Sequence, residues 1–188
     1  MKGAIERPTK TDSALIIIDI QEALFSAMKK EVADLVLKNT LALIEASKTF
    51  EIPVLITEQY PKGLGMTLPA IIKSLGDRYR PREKLSFSIM GEAEIRNAVS
   101  LLGKRHLLIC GIETHVCVLQ SVYDLLESGY IPHVIVDAVS SRKKLDWEMG
   151  LESARDAGAI LTTAEAALFL LLERAGTQEF KAISKLVK

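Results

Sequence analysis

The chain has 188 residues, and 24 Lys plus Arg balance 24 Asp plus Glu, so the formal net charge is zero. That length suits one domain with a full core, and the balanced charge leaves no electrostatic footprint for nucleic acid. The longest unbroken apolar stretch, Ala166 to Leu172, is too short to span a bilayer, so no membrane partner is expected.

In chain order, Met1 to Ser13 mixes Lys, Glu, Arg and Asp without an apolar segment. No secretory or transit signal is expected there, and the expected location is cytoplasmic. Ala14 to Ile20 is an apolar, β-branched run carrying an acid, Asp19, near its end. Continuous apolar strands belong to parallel sheets covered on both faces. A helical region is predicted over Gln21 to Thr49. A second strand follows over Ile52 to Thr57, where Pro53 is tolerated only at the strand start. Tyr60 to Glu83 is rich in Pro and Gly, with a short helix predicted at Leu68 to Leu75. A third strand falls at Lys84 to Phe87, a helix at Glu92 to Leu102, and a fourth strand at His106 to Cys110. The helix after Cys117 ends at Gly129, a natural residue just past a helix end. Ile131 to Val136 is the fifth strand, Leu145 to Ala157 a helix closed by Gly158, and Ala159 to Leu161 the sixth strand. Thr162 to Glu165 has the spacing of a capping box opening the helix that carries Leu168 to Leu172. Gln178 to Val187 forms the last helix.

Strands alternating with helices specify an α/β fold. The expected form is a doubly wound three-layer sandwich around a six-stranded parallel sheet, order 3-2-1-4-5-6, in a single domain spanning 1–188. Ligands of such sheets bind beyond the carboxyl ends of the strands, where the strand order reverses. Asp19, at the end of strand one, and Cys117, after strand four, would share that crevice.

Gly111-Ile112-Glu113-Thr114-His115-Val116-Cys117 joins the fourth strand to its helix. Backbone N–H groups and the helix dipole favour an anion at such a turn, so the Cys117 thiol is expected to ionise more easily than a free one. Val118, Leu119, Val122, Leu125 and Leu126 form the apolar stripe of the helix. Cys117 falls on another face, with Gln120, Ser121 and Asp124, which favours chemistry over packing. Cys110 reads as a buried strand residue. The spacing of the two cysteines fits no zinc motif.

Other residues keep two readings. Asp19 could cap the next helix. Arg82-Glu83-Lys84 could be a solvated charge run, and spacing alone does not choose between Arg82 and Lys84. Phe25, Tyr60 and Phe87 line either a pocket or the core. Ser140, Ser141 and Arg142 bind an oxyanion or pin a loop. His115 reads as a rim residue, and His106 and His133 as strand residues with hydrogen-bond partners.

Leu15 to Gln21, then Lys84-Leu85-Ser86-Phe87, then the turn ending in Cys117 resemble the isochorismatase-like cysteine hydrolase superfamily. The likeness continues through Asp137-Ala138-Val139-Ser140-Ser141-Arg142 and Leu161 to Glu165, and so covers nearly the whole chain. Thr57 to Gly65 and the tail at Phe180-Lys181 look most like the isochorismatase domain-containing proteins. The resemblance implies Cys117 as nucleophile, Asp19 as general base and Lys84 as the third member. It implies an oxyanion hole from the backbone of Glu113 and Cys117, and a cis peptide at Ile112–Glu113. Gln21, Phe25, Tyr60 and Phe87 are the expected substrate-binding residues.

Two departures narrow the activity. Nicotinamidases of this superfamily carry an Asp-x-His metal motif after strand two, whereas Thr57-Glu58-Gln59-Tyr60 has no His, so neither metal nor other cofactor is expected. True isochorismatases lack the cysteine present here. The expected protein is a metal-independent cysteine hydrolase, forming a thioester with a small-molecule amide, ureido or ester substrate. C–N bond cleavage is the favoured chemistry. Apolar positions such as Phe169 and Phe180 suggest a homo-oligomer. The rival is a catalytically idle binding or scaffold protein of the same fold.

Overall fold

The computed structural model describes residues 7–187, so residues 1–6 of the expected signal-free N-terminus lie outside it. The chain runs β1 (Ser13–Ile18), α1 (Glu22–Ser26), α2 (Lys30–Thr49), β2 (Val54–Gln59), α3 (Pro61–Leu64), α4 (Pro69–Leu75) and β3 (Arg82–Lys84). It continues through α5 (Ala93–Leu101), β4 (His106–Ile112), a π-helical turn (Thr114–Val118), α6 (Leu119–Glu127) and β5 (Ile131–Ser140). It closes with α7 (Lys144–Ala157), β6 (Ile160–Thr162), α8 (Ala164–Leu172) and α9 (Gln178–Leu186). All six strands pair in parallel, in the order β3-β2-β1-β4-β5-β6. Helices cover both faces, as the uninterrupted apolar strands predict.

Alternation along the central strands divides the interior into two cores. Leu15 and Ile17 of β1, with Leu108, Cys110 and Ile112 of β4, pack on one face against Leu43 and Ile44 of α2 and Leu168 and Leu171 of α8. Ile16, Ile18, Leu107 and Ile109 pack on the other against Val118, Val122 and Leu125. Cys110 belongs to the first core and Cys117 to the second, so the sheet separates the two thiols; both are free and buried.

Several boundaries differ from expectation for physical reasons. β1 stops at Ile18 because Asp19 turns into the left-handed region, φ 52°. The helical region from Gln21 is two helices, broken where Met28 turns into the core and Lys29 is extended. β3 ends at Lys84 because the following carbonyls fold back onto the lysine side chain, leaving Leu85 and Phe87 exposed. β5 runs on to Ser140, since pairing with β4 resumes at Gly111 and Val139 after a bulge. Thr162 ends β6, and α8 is capped by Thr163, whose hydroxyl accepts from Ala166 N, rather than by a box starting at Thr162. Phe180 is half-buried against the core, with its ring edge-on to Phe169.

Candidate active site

β1 and β4 are neighbours, and Ile18 stands opposite Gly111. A Cβ at Gly111, where φ is 144°, would lie 2.2 Å from the Ile18 carbonyl oxygen. Glycine therefore lets the two strand ends approach before their loops diverge. On one side the chain turns at Asp19. On the other it passes the cis Ile112–Glu113 peptide into the π turn, where Val118 N–H donates to Glu113 O at 3.2 Å. Cys117 thus sits on a wide turn, not in the first turn of a regular α-helix as its sequence suggested. Local π turns recur at functional sites. α7 braces the turn from outside: a Cβ on Gly150 would lie 3.0 Å from the His115 backbone.

Three residues from separate segments converge here: Asp19 after β1, Lys84 at the end of β3 and Cys117 in the π turn. Lys84 Nζ lies 2.6 Å from Asp19 Oδ2, with both side chains sealed from solvent. The charges of Asp19 and Lys84 act on the Cys117 thiol in opposite directions, Asp19 raising its pKa and Lys84 lowering it. Lys84 also donates to Gln59 Oε1 at 2.7 Å, Phe87 O at 2.9 Å and Ser86 O at 3.2 Å, so its charge is held in one place. The Thr57 hydroxyl donates to Asp19 Oδ1 at 2.7 Å. Glu92 holds the lysine loop, accepting from Leu85 N, Ser86 N and the Ser86 hydroxyl. Those three bonds, the hydroxyl foremost, pull the Glu92 carboxyl down to about 2.

Burial reverses the expectation of an easily ionised thiol. Loss of solvent, reinforced by the neighbouring Asp19 charge, pushes the Cys117 thiol up to about 12 against the opposing pull of Lys84. Burial also raises the Asp19 carboxyl, opposed by Lys84 and Thr57. Asp19 and Lys84 thus lie 2.6 Å apart beside a thiol that burial keeps protonated. A carboxylate with a raised pKa is the stronger base, which suits it to take the thiol proton.

The remaining expected site residues are placed unevenly. Gln21 is fully buried and turned to structure: its amide donates to Gln59 O and Gly65 O, and its Oε1 accepts from Gln59 N. It pins the segment after β1 to β2 and to the loop at Gly65. Phe25 is half-buried against the α2 core. Tyr60 and Phe87 are each 51% exposed. Tyr60 shares a cavity of about 320 Å³ with Lys84, Glu83 and Glu92, which neither Phe25 nor Phe87 lines. Of the residues on the cysteine face, Ser121 is buried and donates to Cys117 O at 2.6 Å, while Gln120 is exposed.

Glu113 accepts from Arg142 Nε at 2.9 Å and from Arg142 N at 3.1 Å. These bonds outweigh its burial and hold its carboxyl below the usual range. His115 reaches Ser141, its Nδ1 2.9 Å from the hydroxyl, rather than the thiol. Thr57 and Gln59 escaped the sequence reading. Their signals were being polar residues, Thr57 at the end of the predicted second strand and Gln59 just beyond it, within the Thr57 to Gly65 stretch that carries the resemblance. Among the described residues, no three His, Cys, Asp or Glu side chains converge as a metal ion requires.

Comparison with known proteins places the chain in a family and a fold. The profile of the isochorismatase domain matches residues 13–166. A secreted isochorismatase effector of Phytophthora sojae is 40% identical over 179 residues, 94% of this chain and 84% of that protein. Isochorismatase domain-containing protein 2 of Danio rerio is 36% identical over 186 residues, 98% of this chain and 91% of that protein. The structure described as the MAR1 ribonuclease of Caenorhabditis elegans superposes with a TM-score of 0.89 at 38% identity, covering 97% of this chain and 92% of that one.

Proposed function

The chain belongs to the isochorismatase family, whose fold is that of a hydrolase, and from that premise we propose a metal-independent cysteine hydrolase acting on a small-molecule amide, ureido or ester. The observation that carries this reading is the sealed Asp19–Lys84 pair at 2.6 Å, whose charges bear on the buried Cys117 thiol. In the proposed reaction, the Cys117 sulfur adds to the substrate carbonyl carbon as Asp19 takes the thiol proton. Backbone N–H groups of Glu113 and Cys117 receive the developing oxyanion. As the intermediate collapses, the C–N or C–O bond breaks and Asp19 passes its proton to the leaving amine or alkoxide, leaving a thioester. Water, deprotonated by Asp19, then releases the acid and restores the thiol. Lys84 keeps the proton-carrying carboxylate in place throughout. Phe25, Tyr60 and Phe87 are assigned to substrate entry.

The chain 1–188 is taken as one such domain. A homo-oligomer is proposed because Leu35, Leu145, Met149 and Phe169 leave large apolar side chains 40–64% exposed. No helix among the described residues is long and apolar enough to cross a membrane. A cytoplasmic location is proposed because both cysteines are free thiols, as a reducing compartment keeps them. The Phytophthora relative is described as secreted, so cell fractionation is the test of that assignment.

An idle scaffold has no need of a buried lysine with four oxygen partners beside a thiol, which favours the enzyme. A ribonuclease is the second reading, on the description of the C. elegans protein; zero formal charge speaks against a polyanionic substrate. The test is a hydrolysis screen over small amides, ureido acids, esters and single-stranded RNA, with mass-spectrometric trapping. Turnover of a small substrate with an acyl adduct on Cys117, surviving exhaustive chelation, is expected. Turnover of RNA alone, or activity that needs zinc, iron or manganese, would overturn the proposal.

A further inference from the structure

Ser141 and Arg142 follow β5 directly and begin the loop that leads to α7. Ser140 of β5 pairs with Ile112 of β4, so this loop and the segment entering the π turn leave the sheet side by side. The π turn and its entry carry the two backbone N–H groups assigned to the oxyanion, those of Glu113 and Cys117. The β5–α7 loop holds them with consecutive residues. Arg142 donates twice to Glu113 Oε1, from its backbone N–H at 3.1 Å and from its side-chain Nε at 2.9 Å. Ser141 Oγ lies 2.9 Å from His115 Nδ1. The Glu113 side chain is 8% exposed and that of Arg142 59%.

An ion pair whose cation stands largely in water adds little to stability. Its place beside the π turn gives this one another effect. Two methylenes separate the Glu113 carboxylate from the backbone of its own residue. Covalent length alone therefore keeps that negative charge close to the N–H assigned to the oxyanion. Like charges at such range oppose each other, the more so with little water between them. An unpaired Glu113 would resist the charge that forms on the substrate oxygen as the Cys117 sulfur adds to the carbonyl carbon.

We propose that Arg142 is a positioning residue of the oxyanion hole: it draws the Glu113 carboxylate onto the β5–α7 loop and offsets its charge, and so readies the Glu113 backbone N–H for the oxyanion. Arg142 does this without touching substrate, and its part depends on the acyl-transfer chemistry proposed above. The backbone N–H of Arg142 keeps its bond to Glu113 when the side chain is changed, so substitution removes the charge and leaves one anchor of the loop in place.

The probes are 4-nitrophenyl acetate and iodoacetamide, each given to the full chain. Attack on the ester places negative charge on its carbonyl oxygen, whereas iodoacetamide loses iodide and gathers none there. Neither probe carries a charge for Arg142 to bind. Arg142→Gln should slow acetylation of Cys117, read as the first equivalent of 4-nitrophenolate and as protein mass, by about tenfold or more, short of the roughly 10²–10³ lost with an oxyanion donor itself. Alkylation of Cys117 should stay within about twofold, since it develops no oxyanion. The double variant Arg142→Gln, Glu113→Gln should recover most of the lost acetylation rate, because the repulsion goes with the carboxylate. Acetylation of Arg142→Gln as fast as wild type, alkylation that falls in step with acetylation, or a double variant no faster than the single would overturn the proposal. The last two would show that the pair only braces the turn. No acetyl adduct on wild-type Cys117 would instead overturn the hydrolase reading, and this role with it.

Discussion

Cys117 is not a nucleophile by its own acidity. With its thiol near 12, the proposed attack needs Asp19 to remove the proton. Alkylation by iodoacetamide should therefore be slow at neutral pH and rise with pH, yet reach Cys117 well before Cys110, which burial also pushes up to about 12 and which is 0% exposed. Peptide mapping after timed labelling checks this; equal labelling of both in a folded sample would refute it. Asp19→Asn should lower turnover about 10²–10⁴-fold, the usual contribution of a positioned base, without unfolding the chain. Lys84→Ala should also abolish turnover and leave Asp19 as a buried carboxylate without its cation, which costs about 3–5 kcal/mol unless Asp19 takes up a proton.

Because the folded Asp19 carboxyl is raised above 3.8, kcat/KM should fall with acid at a pH above that value. The same group binds its proton more readily folded than unfolded, so over that window its contribution to stability decreases as pH rises. Thr57→Val removes the donor to Asp19 Oδ1 and should move the acid limb of the rate profile further upward. A profile unchanged by that substitution would show that the hydroxyl does not tune the base.

At the scale of elements, two strand ends and one turn set the geometry. The π turn exists between β4 and α6, with Glu113 O serving both Val116 N and Val118 N. Gly111→Ala would drive a Cβ into the Ile18 carbonyl, moving β1 from β4 where Asp19 and Cys117 begin to converge. The expected result is a loss of about 1–3 kcal/mol or more, read as a lowered denaturation midpoint, together with lost turnover. Gln21, by contrast, acts within the framework, bonding the backbone of β2 and of the loop at Gly65.

At the scale of the molecule, the parallel sheet carries the Asp19–Lys84 pair at the carboxyl ends of its strands and a different ionisable pair at the opposite end. His106, at the start of β4, places Nδ1 2.8 Å from His133 Nε2 in β5, both rings buried. Burial, aided by His106, lowers His133 from 6.5 to about 4. The unfolded chain therefore binds a proton that the folded one refuses. The stability present above pH 6.5 is lost as pH falls toward 4, by at most about 3 kcal/mol from this residue. Denaturant midpoints across that interval should show the decline, and His133→Gln should flatten it.

The strands and their alternation with helices were legible in the chain because apolar runs, β-branching and breakers such as Gly129 and Gly158 are local signals; the strand order followed as the doubly wound arrangement of such units, and the family as a resemblance of motifs. The motif residues Asp19, Lys84 and Cys117 were legible as a resemblance, and Lys84 could not be told from Arg82 by spacing. Tertiary structure alone brought Thr57 and Gln59 to the cluster, turned Gln21 inward and made the thiol weakly acidic. Those properties depend on who is buried beside whom. Desolvation and hydrogen-bond partners come from segments distant in sequence, as when β2 delivers Thr57 to Asp19 across the sheet. A side chain's type can be read from a sequence, but its solvent and its partners are assigned only when the strands assemble.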